Sequence, residues 1–90
     1  MAVQITGVTL NPDPEPMGHR GGRILAFFDC KIGGIGLFGC AYVQNHNGSF
    51  TVFPPKLGTK TDPRRRVAFV DPALRSSIRE AAGEAYRTLA

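Results

Sequence analysis

AYVQNHNGSFTVFPPK, residues 41–56, is the stretch whose reading decides the fold. Asn47-Gly48 lies between two runs of strand-forming residues, and both positions tolerate positive φ. A two-residue type I′ turn there fixes a register with Val43 opposite Val52, Tyr42 opposite Phe53 and Asn45 opposite Phe50. Successive side chains of a strand point to opposite faces, so Ala41, Val43, Phe50 and Val52 share one apolar face that is expected to be buried. Tyr42, Gln44, His46, Ser49, Thr51 and Phe53 fall on a mixed second face. Pro54 and Pro55 end the ladder, because proline has no amide hydrogen to donate.

Upstream, residues 35–44 read as a strand bent at Gly36 and Gly39, preceded by a turn at Gly33-Gly34. Residues 23–31, RILAFFDCK, are nearly continuous in apolar side chains and suit a central strand. Residues 3–10, VQITGVTL, read as a strand whose alternation breaks at Gly7, where a bulge is expected. Residues 11–22 hold three prolines and three glycines and read as a loop.

Downstream, residues 55–65 form a second loop, and residues 66–70, RVAFV, read as a short strand with Val67 and Phe69 on one face. Asp71-Pro72 is a helix start: the carboxylate caps free amides and proline fits the first helical position. The helix is expected from Pro72 to about Thr88, with Leu74, Ile78, Ala81, Ala82, Ala85, Tyr86 and Leu89 on one stripe. Gly83 costs about 1 kcal/mol relative to alanine in a helix interior, which predicts a close approach to the sheet or to a second subunit. The fold class is therefore α+β, an antiparallel sheet of four to five strands followed by one C-terminal helix, within a single domain over residues 1–90.

No apolar run is long enough to span a bilayer, and the opening MAVQITG lacks the basic-then-apolar pattern of a signal peptide, so a cytoplasmic protein is expected. The net charge is +4, and all of the excess lies in residues 51–90, which hold eight basic side chains against four acidic ones. A local basic field attracts polyanions. Lys56, Lys60, Arg64, Arg65, Arg66, Arg75 and Arg79 are expected on one surface, where arginine forks suit phosphate oxygens. Arg75 and Arg79 share a helix face at i, i+4 spacing. The plain alternative is a solvated basic loop, with Arg75 paired to Asp71. Tyr42 and Phe53 supply stacking platforms for single strands if their face is exposed, and core or dimer contacts if it is not.

Other motifs carry less. Residues 34–39, GIGLFG, match G-x-G-x-x-G, but a strand follows where a pyrophosphate cradle needs a helix, so hairpin glycines explain the pattern and no cofactor is expected. Cys30 and Cys40 read as buried free thiols; a turn at Gly33-Gly34 does not set them opposite each other, whereas a loop centred on Ile35 does. His19 and His46 have no ligand spacing, so no metal is expected. No catalytic set emerges, and the chain is not read as an enzyme.

Several blocks together resemble the stage V sporulation protein G family of small bacterial regulators. They are Val43, Asn47-Gly48, Phe50, Pro54 and Lys56 in the centre, a basic loop, the Val70-Asp71-Pro72 junction, the closing Ala85-Tyr86 and residues 23–27. The loop at residues 11–22 and the Gly33–Gly36 corner depart from the family pattern. The resemblance implies a sheet with a C-terminal helix, a homodimer, and DNA and RNA binding in gene regulation, including sporulation and septation. It carries that role onto Lys56, Arg64, Arg65, Arg66 and Arg75. The alternative expectation is a homodimeric protein–protein interaction module without nucleic-acid binding.

Overall fold

The computed structural model describes residues 2–12, 16–17, 22–56, 64 and 66–89. Within them the chain forms β1 (Val3–Leu10), β2 (Pro16–Met17), β3 (Gly22–Ile32), β4 (Ile35–Gln44), β5 (Phe50–Phe53) and α1 (Pro72–Leu89). One antiparallel sheet runs β1-β3-β4-β5, and β2 pairs with β3 beyond the end of β1. The α+β class and the single C-terminal helix agree with the sequence pattern. The apolar run on β3 makes it the central strand, with Ala26, Phe28 and Cys30 buried beneath α1. Among the described residues no helix is long and apolar enough to cross a membrane.

Two segments differ from expectation. Pro16–Met17 pairs with Arg23 and Gly22, so the loop at residues 11–22 contains a two-residue strand. Residues 66–70 form no strand. They lead directly into a helix that lies over the sheet, and a single side chain pins them: Phe69 is in the core while Val70 is 86% exposed.

The β4–β5 hairpin is also shifted by one residue. Tyr42 pairs with Val52, Val43 with Thr51 and Gln44 with Phe50. A type I′ turn needs positive φ at both central residues, yet only Gly48 of this loop adopts it, at 88°. The chain instead makes a three-residue loop in which the Gly48 amide donates to the Asn45 carbonyl (3.0 Å) and the Asn45 amide to the Ser49 carbonyl (2.7 Å). Asn47 keeps negative φ, and its side-chain oxygen accepts from the Ser49 amide (3.0 Å) and hydroxyl (2.6 Å). One residue of slip inverts every side chain. Tyr42, Gln44, Phe50 and Val52 therefore share the helix-facing side, and Ala41, Val43, Thr51 and Phe53 face away.

Bulges reset the remaining strands. The β1–β3 register shifts between Ile5 and Gly7, where Gly7 was expected to break the alternation. In β4 two residues, Phe38 and Gly39, oppose the single Asp29, and Gly39 takes φ 82°. Leu25 is the compensating extra residue on β3, and Asn11 donates its amide and Nδ2 to the Leu25 and Ile24 carbonyls there, each at 2.9 Å.

The Gly39 bulge decides the cysteine geometry. The turn does fall at Gly33-Gly34, so Cys30 pairs with Leu37 and not with Cys40. The extra residue nevertheless turns Cys40 onto the same face as Cys30, one diagonal step away, and both side chains lie in the core. Both are free and buried. Burial pushes the Cys40 thiol up to about 12, helped by Cys30 and Asp29, and burial likewise raises Cys30.

Both thiols thus hold their protons more tightly in the folded chain. Their contribution to stability is complete below their ordinary value of 9.0 and is lost as pH rises toward 12. The urea midpoint, followed by circular dichroism, is expected to fall from neutrality to about pH 11, and to fall less steeply in the Cys30→Ala/Cys40→Ala variant. Equal slopes in the two proteins would contradict a buried thiol pair.

Candidate nucleic-acid interface

Asp71 starts α1 as the capping logic requires: its carboxylate accepts the Ala73 amide at 3.0 Å, with Pro72 in the first helical position. Ile78, Ala82 and Gly83 are the buried positions of the helix, flanked by half-buried Leu74 and Tyr86. Leu89 ends the expected stripe but is exposed. Fixing that buried side fixes what faces solvent. Arg75 and Arg79 are both exposed, and Arg87 continues the same four-residue spacing after Gly83. Arg87 was absent from the sequence-derived set. Its spacing from Arg79 was the available signal, masked by Gly83 between them and by Glu80 and Glu84 beside it.

The other predicted basic residues divide. Lys60 and Arg65 lie outside the described residues. Arg64 and Arg66 are exposed and joined by a tight turn, the Arg66 amide donating to the Arg64 carbonyl at 3.0 Å. Lys56 is exposed but separate from the helix arginines. It lines a groove on the sheet face away from α1 with Phe27, Phe38 and Phe53, whereas Arg79 lines a cleft on the helix side. Pro54 and Pro55 steer the chain toward that far face as it leaves β5. Lys56 and Arg79 therefore do not share the single surface expected of them.

The helix-side cleft, about 440 Å³, lies between α1 and the β4–β5 hairpin. Arg79, Glu80, Glu84 and Arg87 form its helical wall, and Tyr42, Phe50 and Gly83 complete it. Gly83 is the point of closest approach. A β-carbon placed there would sit 2.9 Å from the Tyr42 hydroxyl and 3.3 Å from Arg87 Nη1. The phenol and the guanidinium thus converge above a residue with no side chain.

Tyr42, one of the two expected stacking platforms, is buried under the helix at 3% exposure. Phe53, the other, is 43% exposed on the opposite face. The hairpin slip brings Phe50 into the role instead. Its ring stacks on Tyr42 with centroids 5.4 Å apart and planes within 2°, and it remains 38% exposed. Tyr86 packs against Tyr42 from the helix, also at 5.4 Å, tilted by 43°. Burial raises the Tyr42 pKa; Arg87 and Arg79 draw it back, Tyr86 adds to the rise, and the net direction is upward. At neutral pH the phenol is therefore a hydrogen-bond donor beside two cations. Such a cleft can hold an oxyanion at its floor and a flat ring against Phe50.

The tight floor makes a direct test. Gly83→Ala gains about 1 kcal/mol of helix propensity but forces a methyl against the phenol, an overpacking cost of about 1–3 kcal/mol. A net loss of about 1 kcal/mol in urea unfolding is expected. An unchanged or increased stability would mean that helix and sheet do not depend on this contact.

Comparison of the chain with protein-family models, curated proteins and solved structures finds no match, so the chemistry of the cleft rests on its own residues.

Proposed function

We propose that the protein is a homodimeric nucleic-acid-binding regulator acting on DNA or RNA, in keeping with its resemblance to the stage V sporulation protein G family. The observation that carries this reading is the exposed row Arg75, Arg79 and Arg87 along α1, with exposed Arg64 and Arg66 in the segment leading to the helix. Guanidinium groups engage phosphate oxygens bidentately, and a row along one helix tracks a phosphate backbone. Asp71 and the two glutamates limit the field to a stripe. Sequence reading then depends on contacts beyond these phosphate anchors.

Fluorescence anisotropy with labelled DNA and RNA over a range of salt tests the reading. Affinity is expected to fall steeply with salt, and the Arg75→Gln/Arg79→Gln variant is expected to bind about tenfold more weakly with a shallower salt slope. Binding that ignores salt, or that survives both substitutions unchanged, would refute it.

A specific observation supports the homodimer and also the second reading, a protein–protein interaction module without nucleic-acid binding. The sheet face away from α1 exposes Phe27, Phe38 and Phe53 around a groove of about 620 Å³. Among the described residues no element covers these three rings, although Val43 on the same face is fully buried, and small domains commonly gain core by association. A second copy presents the same apolar face, so the two close face to face. Sedimentation is expected to give a dimer, and Phe38→Asp, at a position 69% exposed, a folded monomer. A monomeric parent protein would exclude dimerisation, and a dimer that carries no nucleic acid and binds none would favour the interaction module.

A further inference from the structure

We propose that the cleft between α1 and the β4–β5 hairpin is a subsite for one unstacked nucleotide, its phosphate on the floor formed by the Tyr42 hydroxyl and the helix arginines and its base against Phe50. The proposal rests on the nucleic-acid reading and adds to it a place where a single base leaves the strand.

Three features converge on that assignment. First, Gly83 has no side chain between two helix arginines, so the Tyr42 hydroxyl and Arg87 Nη1 close over it, 2.9 and 3.3 Å from where a β-carbon would sit, and together form the floor of the cleft. Arg79 and Arg87 are eight residues apart, about 12 Å along the axis, and both line the cleft. A phosphate there accepts from a phenol and two forks. Second, Phe50 is stacked on one side by Tyr42 and is still 38% exposed, which leaves ring surface for a base. The Tyr42–Tyr86 contact behind it keeps the platform in place. Third, Glu80 and Glu84 share the wall, which repels a second phosphate. The same carboxylates accept from exocyclic amino groups, so bases that carry one are favoured over uracil or thymine.

The site lies in a recess between two elements, so a base enters it only when splayed out of its stack. The subsite therefore discriminates strandedness. Arg75 lies on the same row but does not line the cleft, so its phosphate contact is indifferent to base stacking.

The test has two arms. In the first, anisotropy compares a single-stranded oligonucleotide with its own duplex. Phe50→Ala and Arg87→Gln are each expected to weaken single-strand binding about tenfold while changing duplex binding much less; Arg75→Gln weakens both alike. In the second, isotope-labelled parent protein is titrated with nucleoside monophosphates and followed by NMR. The Gly83, Glu84 and Phe50 amides are expected to shift, more for guanosine, adenosine and cytidine than for uridine monophosphate. This arm does not depend on any variant folding. Equal losses on both strands, or no loss, together with unmoved amides, overturn the subsite while leaving general nucleic-acid binding intact. Shifts with a mononucleotide but no oligonucleotide binding keep the subsite and overturn the regulator. No response in either arm overturns both.

Discussion

The carboxylate of Asp29 sits between the bulges of the two strands that flank β3 and ties down the one on β4. One of its oxygens accepts the Gly39 amide at 2.9 Å, and the other lies 3.3 Å from where a β-carbon on Gly7 would project. Gly7 and Gly39 each stand beside a bulge, one on either neighbour of β3, both opposite Asp29. A bulge leaves an amide out of the ladder and needs another acceptor for it. Asp29 provides that acceptor on the face away from the helix. The backbone of Gly39, at φ 82°, is in a region that a side chain would make costly.

The consequence is a change of parity along β4. Leu37 and Cys40 are three apart, yet both reach the core, because the extra residue between them restores the facing. Tyr42 follows Cys40 onto the helix side. The Asn45–Ser49 loop then passes that parity to β5 through hydrogen bonds that Asn47 Oδ1 accepts from Ser49 and Asn45 Nδ2 donates to the Ser49 hydroxyl. Had the sheet kept simple alternation, Tyr42 would face away and α1 would meet a different surface. Gly83 has meaning only because Tyr42 stands beneath it.

The two faces of the sheet consequently differ in character. On one, α1 covers the core and leaves a polar cleft edged by arginines, glutamates and an aromatic pair. On the other, no element among the described residues covers Phe27, Phe38 and Phe53. The cleft suits a small charged aromatic group and the far face suits another apolar surface, so the two proposals for this chain use separate parts of it. Asp29 acts across the sheet, since its charge adds to the effect of burial in raising the thiol values beneath.

By itself the sequence determined the class, four of the strands, the central place of residues 23–31, the helix start at Asp71-Pro72 and the one-sided burial of α1. These are local properties: periodicity, capping and turn chemistry act over a few neighbouring residues. The basic excess and most of the cationic residues were legible for the same reason. Tertiary structure decided the face that each side chain takes. The burial of Tyr42, the exposure of Phe50 and the separation of Lys56 from Arg79 follow from register, which the Gly39 bulge and the hairpin slip set. Register depends on which glycine adopts positive φ and which carboxylate meets a freed amide, contacts between residues distant in the chain. A single residue of shift inverts a strand, so a pattern that names the strands correctly still leaves their two faces undecided.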